Sequence, residues 1–223
     1  MKSYSIKITA AAFLCSISAL AQEITPSKDK LEAVGVVMSL ETLDKKSAVK
    51  VSKDPAMTNA DEPTYVKIKG AEFKDGTIEV NVLSRLLPTA AETARGFIGI
   101  AFRANADNSK FECIYIRPTN GRANDQVRRN HSIQYFSYPD FTFDRLRKEA
   151  PEKYESYADM GLNEWIKMKI VVKGTEAKLF LNDNKQPSLI VNDLKHGADL
   201  SGGIGLFVDN GTEGYFADLK ISK

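Results

Sequence analysis

A chain of 223 residues with 31 basic and 29 acidic side chains lacks the charge surplus with which proteins grip nucleic-acid phosphates, so no nucleic-acid partner is expected. Its two histidines, His131 and His196, stand far apart and have no cysteine or histidine at ligand spacing, which excludes a histidine-rich zinc site. Neither a GxSxG elbow nor a GxxxxGK phosphate loop occurs, which removes acyl-enzyme hydrolysis and P-loop chemistry from consideration.

The chain opens MKSYSIKITAAAFLCSISALAQ, with a basic start at Lys2 and Lys7, an apolar centre, and a small-residue exit at Ala19-Leu20-Ala21. This pattern predicts a signal peptide over residues 1–21, cleaved after Ala21, and therefore a secreted or periplasmic protein. Its apolar run falls short of the ~20 residues a membrane helix needs, and no later run approaches that length, so no membrane span is expected. Bulky Leu14 ahead of Cys15 argues against lipid attachment there. Cleavage removes Lys2, Lys7 and Cys15, leaving 29 basic and 29 acidic residues and Cys113 as the lone thiol. Without an intrachain disulfide the fold must be held by its core, and about 200 residues suffice for one large β-sandwich.

Residues 22–30 are polar and precede any periodicity, which predicts a flexible linker. Residues 31–223 then read as a single domain, in which the part before Ala71 adds one or two strands. TIEVNVL is the clearest strand: Ile78, Val80 and Val82 face one way, Glu79 and Asn81 the other, after an Asp75-Gly76 turn. FIGIAFR and FECIYIR, joined by ANADNSK, predict a hairpin with a long loop. FDRLRKEAPEKYESY alone breaks the period of two, and Phe143, Leu146 and Arg147 predict one short helix stopped by Pro151. IKMKIVV and AKLFLN flank a Lys173-Gly174 turn, and GGIGLFV and YFADLKIS flank Asn210-Gly211 and Glu213-Gly214. About ten strands without an internal linker predict an all-β fold, a two-sheet antiparallel jelly-roll sandwich.

The stretch from Arg103 to Tyr138 gathers the chemistry. Arginines and side-chain amides supply planar hydrogen-bond partners for hydroxyls, and tyrosine faces cover the apolar side of a sugar ring. If Ile98, Ile100, Phe102, Ile114 and Ile116 are core, alternation places Arg103, Tyr115 and Arg117 together on the opposite face, lining a concave surface. Glu112 falls on the core side unless a bulge resets the register. Carboxylates for glycoside chemistry would come from Glu79, Glu112, Asp125, Asp140, Asp209 or Glu213. Calcium-binding atoms occur at Asp183 with Asn182 and Asn184, and at Asp209 with Asn210, but turn chemistry accounts for these residues, and no metal or other cofactor is predicted. Trp165 and Cys113 read as packing residues.

KDGTIEVNVL, ARGFIGIAFR, FECIYIRPTNGRANDQVRRNHSIQYFSYPDF, NEWIKMKIVVKGTEAKLFLN and TEGYFADLKI resemble, in this order, exported bacterial proteins of the concanavalin A-like, laminin-G-like jelly-roll kind, relatives of the 3-keto-disaccharide hydrolase domain. The resemblance runs from Glu72 to Ser222. It implies a concanavalin A-like sandwich, and it directs attention to Arg117, Asn120, Arg128, Asn130, His131, Gln134 and Tyr135.

Composition and resemblance together give a first expectation of an exported carbohydrate-binding protein whose ligand meets Arg103, Tyr115, Arg117, Asn120, Arg128, Asn130, His131, Gln134 and Tyr135. The alternative is an enzyme on 3-keto-sugars, with Glu112, Asp125 or His131 as acid or base and an arginine beside the developing charge. A third reading is an adhesion or scaffold domain. Oligomeric state has no signature in the sequence.

Overall fold

Apolar side chains at every second position build nearly the whole molecule from strands. The computed structural model describes residues 22–223, and the signal peptide expected over residues 1–21 lies outside the described residues. The strands are β1 (Gln22–Glu23), β2 (Leu31–Val34), β3 (Val36–Leu43), β4 (Lys46–Lys53), β5 (Tyr65–Ile68), β6 (Gly76–Leu86), β7 (Ile98–Ala104), β8 (Phe111–Ile116), β9 (Ile133–Tyr138), β10 (Glu155–Ser156), β11 (Ile166–Lys173), β12 (Glu176–Leu181), β13 (Leu189–Val191), β14 (Gly203–Val208) and β15 (Thr212–Ser222). Three short helices, α1 (Pro118–Gly121), α2 (Gln126–Asn130) and α3 (Phe143–Glu149), interrupt them. The first sheet has the order β13-β12-β11-β6-β15-β4-β3 with β1 added along β15, and the second has the order β10-β9-β8-β7-β14-β5-β2. The two sheets form the expected antiparallel jelly-roll sandwich.

The first sheet follows simple alternation. Ile166, Met168, Ile170 and Val172 of β11 are buried while Lys167 and Lys169 between them are not, and Met168 and Ile170 pair with Val80 and Ile78 of β6. The second sheet departs from it, because β7, β8 and β14 are buried along their whole length. Toward the first sheet it presents residues such as Ile98 and Leu206, the latter beside Val49 and Phe216. On its other face Tyr65, Phe111, Tyr115, Phe136 and Phe207 form an aromatic layer with ring centroids 5.3–5.8 Å apart. Gly99 makes room for that layer, since a Cβ there would stand 2.6 Å from Tyr115 Cβ. Cys113 is a buried free thiol, as expected of a packing residue.

The expected linker and the single helix are corrected, while Trp165 packs and Asn182 and Asp183 turn the chain as expected. Residues 22–30 are not a loose linker: Glu23 pairs with Lys220, the Ile24 amide donates to Leu219 O at 2.9 Å, and Lys28–Lys30 form a 3-10 turn. The single predicted helix is present as α3, but α1 and α2 also form, too short to leave a periodic trace. Trp165 lies outside the inter-sheet core, packed on a small cluster of Ala48, Leu83, Tyr215 and Ala217, with its indole N–H given to Asp44 Oδ2 at 3.0 Å. Asn182 and Asp183 adopt left-handed backbone in their turn, and Lys167 takes up the Asp183 carboxylate at 2.7 Å.

Arg103, Glu112 and Tyr135 hold the sandwich together and are absent from the concave face. The pairing of β7 with β14 slips near Arg103, whose φ of 54° marks a bulge that breaks the alternation. Its side chain is fully buried at the far end of β7, where Nε donates to Lys74 O, Nη1 to Gly197 O, and Nη2 to Gly174 O and Asp75 Oδ1, all within 2.8–3.1 Å. One guanidinium thus fastens three turns. Glu112 and Tyr135 sit on the inner face, where Tyr135 donates to Glu112 Oε2 at 2.6 Å and Glu112 Oε1 accepts the His196 amide at 2.9 Å. The register of β8 with β7 and β9 runs unbroken there, so no bulge turns Glu112 outward. Arg103→Met keeps the apolar stem and removes the donors, so urea unfolding should show a loss of about 3 kcal/mol or more. A loss below about 1 kcal/mol would contradict the clamp.

Candidate functional site

The aromatic layer ends in a cleft of about 610 Å³. It lies where β7 and β9 begin and β8 and β14 end, so antiparallel pairing alone brings Phe97, Arg117, His131 and Asp209 together. Helix α3, which follows β9, adds Phe143 and Arg147 from the opposite wall.

Arg117 forms the base of the cleft. Its guanidinium is buried among aromatic rings, 5.1 Å from the centroid of Tyr115, 5.7 Å from Phe143 and 6.0 Å from Phe97. Nη2 donates to Tyr115 Oη at 2.8 Å and Gln134 Oε1 at 3.2 Å, while Nη1 donates to Glu155 Oε1 at 3.0 Å and His131 O at 3.2 Å. Burial, opposed by Arg117, raises the Tyr115 pKa well above the usual phenol value, so its proton stays available for donation. Glu155 also accepts from Arg147, through Nε at 2.9 Å and through Nη2. Burial would lift the Glu155 pKa, but Arg147 and Arg117 together hold it below the ordinary carboxylate value. His131 Nδ1 stands 2.9 Å from Glu155 Oε2 without the alignment of a hydrogen bond. Burial, seconded by Arg147 and Arg117 and opposed by Glu155, lowers the His131 pKa, leaving a neutral imidazole at pH 7.

Asp125 caps α2 by accepting the Arg128 amide at 2.8 Å. The short helix carries Arg128 back over the cleft, where Nε donates to Asn120 Oδ1 at 2.9 Å and Nη2 to Thr119 Oγ1 at 3.1 Å. Asn120 is fixed in turn by its donation to His131 O at 2.9 Å.

Across the cleft lies a residue with no sequence signal. Asp61 holds a left-handed φ of 54° in the loop before β5 and is 1% exposed. Its Oδ2 accepts the Phe143 amide at 2.6 Å, its own amide donates to Asp209 Oδ2 at 3.1 Å, and its Oδ1 is buried with no partner. Asp209 is itself paired with Lys53 at 2.8 Å. Burial first, and then the nearby Asp209 charge, lift the Asp61 pKa to about 7, against the pull of the Phe143 amide and Arg117. The cleft therefore borders an unpaired buried carboxylate oxygen and joins directed donors with the rings of Phe97, Tyr115 and Phe143.

Of the predicted ligand residues, Tyr115, Arg117, Asn120, Arg128 and His131 line this cleft, and so does Asp125. Gln134 is buried behind Arg117 and positions it. Asn130 borders a smaller neighbouring hollow of about 210 Å³ with Glu155 and Tyr157, reached from the other side of His131. Sequence reasoning missed Asp61, Arg95, Phe97, Phe143, Arg147 and Glu155 as site residues, and weighed Asp209 only as a carboxylate or turn residue. Arg147 and Phe143 carried the helical spacing that placed them on one helix. Nothing local marks Asp61, Phe97 or Glu155.

No protein-family model and no curated protein matches the chain. Solved structures match its fold. A carbohydrate binding module, CBM66 from Bacillus subtilis, superposes with a TM-score of 0.54 at 14% identity, over 85% of this chain and 97% of that one. A putative glycosyl hydrolase from Parabacteroides distasonis gives 0.52 at 14%, over 91% and 98%. A Bacillus subtilis protein of unknown function with a galectin-like fold gives 0.52 at 12%, over 88% and 91%. At such identities the likeness is one of fold.

Because folding raises the Asp61 pKa from 3.8 to about 7, its stabilising contribution is full below pH ~4 and is lost as pH climbs through 7. Asp61→Asn retains the acceptor for Phe143 and cannot ionise. Relative to wild type it should gain on the order of 2–4 kcal/mol of stability between pH 4 and pH 8, read by urea unfolding at both values. A difference independent of pH would contradict the buried carboxyl.

Proposed function

We propose that this chain is a carbohydrate-binding protein, exported by its first 21 residues, which seats one or two sugar rings in the cleft at the end of the second sheet. The observation that carries this reading is the convergence of Tyr115, Arg117, Asn120, Arg128 and His131 on one cavity of about 610 Å³. That volume suits a small ligand, and a few fixed polar groups among aromatic walls are what orients one. Guanidinium and amide donors meet hydroxyl oxygens, and Phe97 or Phe143 covers a ring face. A fold shared with a carbohydrate binding module is consistent with this use.

Asp61 favours a second reading, an enzyme of the 3-keto-disaccharide hydrolase or lyase type. A carboxyl near half-protonation at neutral pH suits general acid or base work, and Arg128 and the Tyr115 hydroxyl would stabilise charge developing at a ketone. Glu112, on the inner face, has no part in such chemistry. Release of monosaccharide from 3-keto-disaccharides, abolished in Asp61→Asn, would establish the enzyme; no turnover in wild type would leave binding alone.

Calorimetric titration against a glycan panel tests the binding site. Arg128→Ala touches only neutral partners, and it should weaken the best glycan at least tenfold, about 1.4 kcal/mol, with little change in thermal midpoint. Tyr135→Phe should lower stability by about 1–3 kcal/mol yet bind as wild type does. Unchanged affinity in Arg128→Ala, or lost affinity in Tyr135→Phe, would contradict the placement.

A further inference from the structure

Four guanidiniums border the cleft, and their counter-charges do not match them. Arg117 and Arg147 share a single carboxylate, Glu155. Among the described residues Arg95 and Arg128 pair with no carboxylate: Arg95 donates only to the carbonyls of Glu92 and Ala94, and Arg128 only to the side-chain oxygens of Asn120 and Thr119. The acids facing the cleft do not supply the balance. Asp209 is taken by Lys53 at 2.8 Å, the Asp125 carboxylate accepts the Arg128 amide and reaches no guanidinium, Glu92 acts on Arg95 by charge but meets it only through its backbone carbonyl, and Asp61 lies buried near half-charge at pH 7. The crowding registers on Arg95, whose pKa falls below the usual guanidinium value through partial burial and then repulsion from Arg128 and Arg117, against the weaker pull of Glu92.

Hydroxyl groups cannot neutralise such an excess. A carboxylate can, and a planar guanidinium fork takes one in a paired hydrogen-bond geometry. Building on the carbohydrate-binding reading, we infer that the cleft selects sugars bearing a carboxylate, as in a uronic-acid residue, with Arg95 and Arg128 as the two groups that receive the anion. The remaining donors, Asn120 and the Tyr115 hydroxyl, then fix the ring hydroxyls. Charge selects the class of glycan while the neutral groups set its orientation.

Carboxyl reduction offers a matched comparison, because it converts uronic-acid oligosaccharides to neutral ones of the same linkage and ring stereochemistry. The whole secreted chain is titrated with a library of acidic oligosaccharides and with its reduced counterpart at low and moderate salt. Binding of at least one acidic member should be tenfold or more tighter than that of its reduced form, and the advantage should shrink as salt rises. In the double variant Arg95→Gln, Arg128→Gln the advantage should fall below threefold, while residual binding of the reduced form persists and a near-native thermal midpoint shows the protein intact. Equal or stronger binding of the neutral forms would overturn the charge selection and leave carbohydrate binding standing. Binding of sulfated neutral sugars without any uronate would overturn the carboxylate assignment. Binding of neither acidic nor neutral sugars would overturn this inference and the reading beneath it.

Discussion

A single buried carboxylate, Glu155, is the constraint on which the site depends. It accepts from Arg117 and Arg147 and stands beside His131, so it ties the end of β8, helix α3 and the approach to β9 into one unit. Two charges drawn out of water are tolerated only when their hydrogen bonds are nearly complete. Here they are: Arg117 reaches Glu155, Gln134, Tyr115 and the His131 carbonyl, and aromatic rings fill the space around it. The floor of the cleft is therefore held in place by the protein's own hydrogen bonds, which under the proposed function would limit the entropy lost on binding.

The cleft's position follows from topology. Antiparallel neighbours alternate in direction, so the start of one strand lies beside the end of the next, and loops from both meet at one edge of the sheet. Phe97, Arg117, His131 and Asp209 are each within two residues of a strand terminus on that edge. The aromatic layer of the second sheet brings apolar rings to the same place, and α3 closes it with Phe143 and Arg147. The far end of β7 is closed by Arg103, whose guanidinium gathers backbone carbonyls from three turns. The same residue type therefore fastens the fold at one end and faces the cleft at the other.

The sandwich was legible because alternation is a local signal that pairing preserves: Ile78, Val80 and Val82 are core as their spacing predicts. Parity also placed Tyr115 and Arg117 on one face and kept Glu112 off it. It failed at Arg103, where a bulge shifts the register, an event that one residue's identity does not announce. It misjudged Tyr135 for a different reason. Composition and resemblance marked a whole stretch, and within a strand only alternate members share a face; Tyr135 pairs with Ile114 toward the core while Gln134 pairs with Tyr115. Asp61 was out of reach because it enters the site from a loop about forty residues before the marked stretch, and Glu155 because it arrives on the two-residue strand β10, which pairs with β9 at Gln134. Their roles rest on burial and on the partners that Glu155 gains and Asp61 Oδ1 lacks, quantities that exist only once the chain is folded.

Under the proposed function, ligand and protein meet at the end of the second sheet, over Arg117, and nowhere on the outer face of the first. Amide chemical shifts followed by NMR during titration with a mixed pool of acidic and neutral oligosaccharides test it most directly. The perturbed amides should cluster at Asp61, Phe97, Asn120, Arg128, His131 and Asn210, around the cleft. Perturbations centred on Trp165 and Tyr215, on the outer face of the first sheet, would contradict it.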